Sequence, residues 1–256
     1  MTQKLQDLIV QAQKNGLESA VMIQSEKTHD QFYYGSQRIF RAASVIKLGI
    51  ALYLNEPIKR HPELLTQRVT LSSDELVGGA GVISHLQQKT WTIADLVDLM
   101  LSVSDNAAAN YFLKRFSLEV ISDWLQSNFK EVMLGRFFMQ KGKHENMISA
   151  PGLMAIWQKI MSLDGVYGDL VRKGLKHQAN RSKLVAAVPA SLETFNKTGE
   201  LENEQHDCAR LINPETGCSV DVCVLTHFDD SERVCEALQL NQEIGRLMAS
   251  HLLRTE

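Results

Sequence analysis

Between its two terminal helices the hydrophobic pattern of this chain changes twice, and the order of the changes limits the fold more than any other feature. Strand-like alternation comes first, helical periodicity fills the middle, and strand-like alternation returns after Pro189. The predicted strands read AVMIQSE, QFYYGS, SLETFNKTG, HDCARLI and SVDVCVLTHF. The first two are separated by a polar turn at Lys27 to Asp30, which predicts a hairpin. Amphipathic helices occupy both ends of the chain, the last from about Ser231.

The helical middle contains one segment that is apolar nearly all round, starting at Ser44, which predicts a helix buried on every side. Thr92 and Asp95 form a capping-box pattern before a second apolar helix that ends near Ser104. These patterns predict an α/β (α+β) fold with a five-stranded antiparallel sheet, flanking terminal helices and an inserted all-helical domain. We predict a sheet domain of residues 1–42 and 188–256, a helical domain of residues 43–187, and an active site where they meet.

Three short motifs follow one another in this chain: Ser44-Val45-Ile46-Lys47, Ser104-Asp105-Asn106 and Lys197-Thr198-Gly199. About one Ser-x-x-Lys is expected by chance, and Ser127 with Lys130 repeats that spacing. The other two motifs have a chance expectation of about 0.04 each, so the ordered set has a joint expectation of roughly one in a few thousand. The set therefore indicates a serine acyl-transfer enzyme.

Each motif has a chemical role and a simpler structural alternative. Ser44 is the predicted nucleophile, with Lys47 one helical turn away as its base; a capping serine followed by a surface lysine is the alternative. Ser104 would pass the proton to the leaving group and Asn106 would bind a substrate amide, although such residues also end helices. Lys197 and Thr198 would bind a substrate carboxylate, and Gly199 would let the substrate approach the strand. A turn at the edge of a strand is the alternative for this third motif.

Over nearly its whole length the chain resembles the penicillin-recognising serine enzymes, and most closely the class A β-lactamase-like group. The resemblance is carried by AASVIKL, GGAGVI, TIADLVDLMLSVSDNAAANYFL, FNKTGE and NQEIGRLMASHLL. It implies the fold and the reaction class of that family. It also implies an oxyanion hole made by the backbone N–H groups of Ser44 and Glu200.

The chain departs from that family at one place. Class A β-lactamases carry a Glu-x-x-Leu-Asn loop whose glutamate activates the water that releases the acyl group. The corresponding stretch here reads LGRFFMQKGKHENMISAPG and lacks this pattern. Glu145 is the local deacylation candidate, and a solvated loop charge is the alternative. Phe137, Phe138 and Met139 are predicted to be core or pocket wall.

The predicted function is therefore a serine acyl hydrolase, acylated at Ser44, that hydrolyses β-lactam amide bonds, slowly because the glutamate loop is absent. The alternatives are an esterase or peptidase, or a penicillin-binding sensor with a long-lived acyl-enzyme. We predict that Arg210 and His206 are surface charges, with a contact to the substrate carboxylate as the alternative.

Composition and charge limit the classes of partner and cofactor that the chain is expected to bind. The net charge of -3 and the absence of a basic stripe argue against a nucleic-acid partner, and no stretch is apolar enough for a membrane span. The histidines and the four cysteines lack ligand spacing, so we predict no metal and no cofactor, with the cysteines buried and reduced. The amino end lacks a signal-peptide pattern, which predicts a cytoplasmic location. The sequence does not indicate an oligomeric state.

Overall fold

The computed structural model describes residues 2–25, 31–35 and 37–254, and the turn predicted at Lys27 to Asp30 lies outside them. Contacts divide the chain into two compact units. The sheet unit comprises Met1–Val45, Ile148–Met154 and Asn180–Glu256, and the helical unit comprises Ile46–Met147 and Ala155–Ala179. The domain boundaries predicted from the sequence, at residues 43 and 188, remain a prediction.

Within the described residues the chain forms eight α-helices and ten strands. The helices are α1 Thr2–Lys14, α2 Lys47–Arg60, α3 Ile93–Ser102, α4 Asn106–Phe116, α5 Leu118–Asn128, α6 Ala150–Met161, α7 Gly165–Lys176 and α8 Val234–Leu252. The strands are β1 Glu18–Ser25, β2 Gln31–Tyr34, β3 Ile39–Arg41, β4 Arg68–Thr70, β5 Thr90–Thr92, β6 Val132–Met133, β7 Met147–Ser149, β8 Glu193–Leu201, β9 Glu204–Ile212 and β10 Ser219–His227.

The sheet unit contains the predicted five-stranded antiparallel sheet, in the order β2-β1-β10-β9-β8. β10 is central and is buried along almost its whole length, in keeping with its β-branched sequence. β1 pairs with β2 through Val21 and Tyr34, which confirms the pairing expected of the hairpin. β8, which carries Lys197, lies at the edge of the sheet, so one side of this strand is not occupied by another strand of the sheet.

The terminal helices α1 and α8 cover this sheet. Leu5 and Ile9 of α1 and Ile244 and Met248 of α8 are fully buried and belong to one core cluster with the apolar residues of β1, β9 and β10. Burying a side chain of this size contributes roughly 1.5–3 kcal/mol relative to leaving it exposed. The prediction of a sheet flanked by terminal helices is confirmed.

The helical unit is built around α2. Leu48 and Ile50 are buried on opposite sides of this helix, and Leu54 is buried on the same face as Ile50, as the all-round apolar pattern predicted. Gly49 allows α5 to approach, because a Cβ there would lie 2.9 Å from a methyl carbon of Leu125. The helix is therefore fixed in position by side chains on several faces.

The capping box at the start of α3 is confirmed. The Asp95 N–H donates to Thr92 Oγ1 over 3.0 Å, and the Thr92 N–H donates to Asp95 Oδ2 over 3.0 Å. One helix, α7, is missing from the sequence interpretation. Its segment contains three glycines, which lower helix propensity, and one of them, Gly174, packs against Leu101 of α3.

The cysteine prediction is partly wrong. Cys208, Cys218 and Cys223 are buried, but Cys235 is exposed near the start of α8. Among the residues that the structure describes, no helix combines the length and the apolar character needed to span a membrane.

Candidate active site

Ser44 lies in a one-turn 3-10 helix, Ala43–Ile46, from which the chain runs directly into α2 at Lys47. The residue before it, Ala43, has a φ of 47°, a left-handed conformation that is unusual outside glycine. Ser44 itself is half-buried. The backbone thus turns sharply into the helix immediately before the predicted nucleophile.

Within the sheet unit, the third motif lies against this turn. A Cβ added to Gly199 would be 3.1 Å from Val45 N and 3.2 Å from the Cβ of Ala43. The absence of a side chain at Gly199 therefore lets β8 approach the segment that carries Ser44. The sequence interpretation gave this glycine a different purpose, access for the substrate, and missed the contact with the protein itself.

Lys197 and Thr198 are both buried on β8, with side-chain exposures of 0% and 4%. Lys197 Nζ donates to the Thr198 carbonyl oxygen over 2.7 Å. Burial lowers the pKa of Lys197 to about 7, against the opposing attraction of the Asp207 carboxylate. A buried amine of this kind changes its charge near neutral pH.

Charged groups surround Lys197 in the sheet unit. Lys183 has no exposed surface, and its Nζ donates to the carbonyl oxygens of Gly199 and His206 over 3.2 and 3.1 Å. Lys183 also forms an ion pair with Glu200 Oε1 at 2.9 Å, and Asn180 donates to the same carboxylate. Burial lowers the pKa of Lys183. A second cation therefore binds the carbonyl oxygen of Gly199 in the third motif.

Asp207 is the buried anion of this group. It accepts hydrogen bonds from the Leu184 N–H at 3.1 Å and from Asn196 Nδ2 at 3.2 Å. Burial raises its pKa to about 6, although Lys183 opposes the shift. The sequence interpretation did not identify either Lys183 or Asp207.

The reading of His206 and Arg210 as surface charges is wrong. His206 is fully buried: its Nδ1 accepts from the Thr226 N–H at 3.2 Å and its Nε2 lies 2.8 Å from the Arg41 carbonyl oxygen. This pattern fits a neutral ring protonated at Nε2, and burial lowers the pKa of His206 to about 3. Arg210 forms a two-pronged pair with Asp221, with both distances at 2.7 Å.

In the helical unit, Lys47 is the first residue of α2 and is fully buried. Its Nζ lies 2.7 Å from the Ser104 carbonyl oxygen, 3.2 Å from Ser104 Oγ and 2.7 Å from Asn106 Oδ1. The structure thus brings the lysine of the first motif together with both functional residues of the second.

The second motif forms the turn between α3 and α4. Ser104 has a φ of 57°, a second left-handed residue that is not glycine. Asp105 caps α4 by accepting from the Ala108 N–H at 3.0 Å, and its other oxygen accepts from the N–H groups of Val82 and Ile83 at 2.7 and 2.9 Å. Asp105 therefore has the structural role that such turn residues usually have.

Both the oxygen and the nitrogen of the Asn106 side-chain amide are hydrogen-bonded. While Oδ1 accepts from Lys47, Nδ2 donates to the Gly78 carbonyl oxygen over 2.9 Å. Gly79 and Gly81 nearby have positive φ values of 85° and 98°, which favour glycine. The GGAGVI segment thus serves as a support for the second motif.

An aromatic ring covers Lys47. The centroid of the Phe138 ring lies 4.4 Å from Lys47 Nζ, close enough for a cation–π interaction. Asn110 holds Phe138 by two backbone hydrogen bonds, at 2.8 and 3.0 Å. The prediction of a buried residue is confirmed for Phe138, whereas Met139 is 62% exposed. Asn110 was missed, although it lies four residues after Asn106 on the same helix.

Glu145 is engaged elsewhere in the helical unit. Its side chain is about half exposed and forms an ion pair with Arg136 at 3.0 Å. The adjacent Asn146 is buried and accepts from the N–H groups of Gly135 and Arg136 at 2.8 and 3.0 Å. Glu145 and Asn146 therefore stabilise their loop by binding Gly135 and Arg136 of the same loop. The exposed residues Ser127 and Lys130, which repeat the first motif's spacing, have no such surroundings.

No group of three or more His, Cys, Asp or Glu side chains in the described part of the chain could hold a metal ion.

With this geometry established, the family can be assigned. A model of the β-lactamase enzyme family matches residues 1–252. The chain therefore belongs to the β-lactamase enzyme family, and the prediction of a β-lactamase-like serine hydrolase is confirmed. A comparison with curated protein sequences gave no significant match.

Solved structures share the fold across the whole chain. A β-lactamase from Sphaerobacter thermophilus DSM 20745 is 22% identical, with a TM-score of 0.88 over 100% of this chain and 99% of that one. A class A β-lactamase from Mycobacterium abscessus is 20% identical, with a TM-score of 0.86 over 98% of each chain. A PBP-A mutant in an acyl-enzyme complex with penicillin G is 18% identical, with a TM-score of 0.85 over 99% of this chain and 96% of that one. The predicted fold is confirmed.

Proposed function

We propose that the β-lactam ring acylates Ser44 and that the acyl group is released slowly. One observation carries the proposal: Lys47 is fully buried and its Nζ contacts both Ser104 and Asn106. A lysine with no role beyond surface solubility would extend its ammonium group into water. This lysine is instead oriented by carbonyl acceptors one helical turn from a serine.

The acceptors around Lys47 suit a base. A neutral amine has two N–H groups, and the carbonyl oxygens of Ser104 and Asn106 accept both. In this form Lys47 Nζ takes the Ser44 proton while Ser44 Oγ attacks the β-lactam carbonyl carbon. Ser104 Oγ, 3.2 Å from Lys47 Nζ, passes a proton to the ring nitrogen as the C–N bond breaks. The product is an acyl ester on Ser44 and a protonated amine.

The sheet unit supplies substrate binding in this proposal. Charged Lys197 and the Thr198 hydroxyl bind the substrate carboxylate, and the backbone N–H groups of Ser44 and Glu200 stabilise the developing oxyanion. The removal of one such donor costs about 3–4 kcal/mol in comparable sites. Asn106 Nδ2 keeps a second hydrogen for a carbonyl group of the substrate.

Slow release follows from what surrounds Lys47 in the helical unit. An activated water needs a base within hydrogen-bonding reach, and the side chain stacked on Lys47 is the phenyl ring of Phe138. Glu145, the candidate base, is paired with Arg136. We therefore propose that Glu145 is a structural residue. A penicillin-binding sensor is the second candidate function, because the same feature favours a long-lived acyl-enzyme.

Intact-protein mass spectrometry after exposure to a penicillin tests this proposal. We expect an adduct with the mass of the penicillin that decays over minutes or longer, and no adduct on the Ser44→Ala variant. Ser127→Ala is the matched control, since Ser127 has the same spacing to a lysine and is exposed. An adduct that persists on Ser44→Ala would refute the assignment of the nucleophile. Rapid turnover would refute slow release, and no adduct on the unmodified chain would favour the esterase or peptidase alternative.

A further inference from the structure

Two cysteines face each other across the middle of the sheet, away from any role in the proposed reaction. Cys208 of β9 and Cys223 of β10 are directly paired in the antiparallel register. Both are fully buried, and their sulfur atoms are 2.7 Å apart. This separation is shorter than an ordinary contact between two carbon atoms, about 3.5–4.0 Å. The two thiols are therefore pressed against each other.

The backbone around this pair suits a disulfide bond. Directly opposed residues of an antiparallel pair have Cα atoms about 4.5–5.5 Å apart. Disulfide bonds span Cα separations of about 4.4–6.8 Å, with an S–S bond of about 2.05 Å. The sulfur atoms would need to move together by well under 1 Å. No shift in register is required.

We propose that Cys208 and Cys223 form a disulfide bond when the chain folds in the presence of a low-molecular-weight disulfide such as glutathione disulfide. One cysteine loses its proton and attacks the reagent, which releases one reagent thiolate and leaves a mixed disulfide. The second cysteine loses its proton, attacks the protein sulfur of that mixed disulfide and releases the second reagent thiolate. Two electrons pass to the reagent, and the protein loses two hydrogen atoms.

Burial determines when the reaction takes place. Burial raises the pKa of both thiols, which suppresses the thiolate form in the folded sheet, and neither sulfur is open to a reagent. Exchange therefore occurs while β9 and β10 are still accessible, and the finished sheet then protects the bond. The same protection makes the bond resistant to reductants until the sheet opens.

The position of the bond connects it with the site. Lys197 of β8 is the register partner of Cys208, so Lys197, Cys208 and Cys223 form one row across three strands. Directly opposed residues share a face of the sheet. The bond would tie β9 to the central strand β10, and β9 is the strand on which edge strand β8 is held. It would therefore stabilise the strand that carries the third motif.

The choice of partner provides the test. Loop closure alone favours a bond between Cys218 and Cys223, which are only five positions apart in the sequence. The sheet register favours Cys208 with Cys223. A Cys235→Ala variant removes the exposed thiol that would otherwise react with the reagent. This variant is unfolded in denaturant with reductant and refolded in a buffer of oxidised and reduced glutathione, then alkylated under denaturing conditions.

Before alkylation we expect the mass of the refolded chain to be about 2 Da below that of the reduced chain. After alkylation we expect one alkylated cysteine and fragment spectra that join Cys208 to Cys223. The denaturation midpoint of the oxidised form should fall when reductant is added during unfolding. Three alkylated cysteines after successful refolding, checked by circular dichroism, would overturn the proposal, and so would a predominant bond from Cys218. If the variant does not refold, the same fragment spectra are recorded on the unmodified chain purified without reductant and alkylated to block Cys235.

Discussion

The charge of Lys197 makes a quantitative prediction about pH. Burial lowers the pKa of this lysine from 10.5 to about 7, so its ammonium form is lost as the pH rises through neutrality. If the ammonium group binds the substrate carboxylate, acylation should follow the charged fraction. That fraction is about one half at pH 7 and about one tenth at pH 8, a loss of roughly tenfold for each further unit. Below about pH 6 it is nearly complete and the effect disappears.

The assay compares two substrates rather than two enzymes. The second-order rate of Ser44 acylation is measured between about pH 5.5 and 9 for a penicillin and for the methyl ester of the same penicillin. Both substrates use Lys47 and Ser104 in the same way, so effects on the acylation step itself cancel in the ratio of the two rates. We expect the ratio to fall above about pH 7. A ratio that stays constant across this range would refute the assignment of Lys197 to the carboxylate.

The variant Asp207→Asn sharpens the same test. The Asp207 carboxylate is the main electrostatic influence that raises the pKa of Lys197 against burial. Its removal should move the midpoint of the rate ratio to lower pH by about one unit, the usual lower range for a charge at this proximity. The asparagine oxygen can still accept from the Leu184 N–H, but its amide nitrogen then faces the donor Asn196 Nδ2, so thermal denaturation of the variant is measured as well. A midpoint that moves upward would contradict the electrostatic explanation.

Three further substitutions probe the site. Gly199→Ala should slow acylation at least tenfold with little loss of stability, because the added Cβ lies 3.1 Å from Val45 N and must displace the segment carrying Ser44; acylation rates and thermal denaturation measure the two effects. Asp105→Ala should lower the free energy of unfolding by about 2–4 kcal/mol in denaturant titrations, because three backbone N–H groups lose their acceptor. Phe138→Glu should shorten the lifetime of the acyl-enzyme in mass spectra, because it places a carboxylate beside Lys47, whereas Phe138→Leu should leave the lifetime long.

Much of the fold could be predicted because its signals are local. The alternation in β10, the capping box at Thr92 and the all-round apolar pattern of α2 each depend on a few consecutive residues. The helix α7 was missed although Tyr167, Val171 and Leu175 recur at helical spacing, because its three glycines lower the helix propensity of the segment. Its contact with α3 contributes to its stability. Packing against a segment distant in the sequence therefore stabilises α7.

The candidate site likewise has residues that could be predicted from the sequence and residues that could not. The three motifs are readable because their residue types and spacing are chemical requirements. The contacts that Lys183, Asp207 and Phe138 make in the site could not be predicted: a buried and a surface lysine look alike in one sequence, and a buried phenylalanine does not reveal which group it covers. Lys183 is separated from Gly199 by sixteen positions and Phe138 from Lys47 by ninety-one, so only the folded chain brings them together. Their electrostatic effects depend on that burial.

Five non-glycine residues in the described part of the chain have positive φ, and two of them, Ala43 and Ser104, lie in the candidate site. Ala43, beside the nucleophile, and Ser104, the proposed proton relay, both adopt left-handed conformations that cost about 1–3 kcal/mol each. Such strain persists only where the backbone is held. The Val45 N–H donates to the Ala42 carbonyl oxygen across the first turn, and the Asp105 N–H donates to the Leu99 carbonyl oxygen directly after Ser104. In the proposed mechanism both residues lie beside or within the groups that carry out acylation. Around Lys47, where release would need a base, the structure instead places a phenyl ring fixed by Asn110. In the proposed mechanism the site is therefore equipped to form the acyl-enzyme, and the ring beside Lys47 favours its persistence.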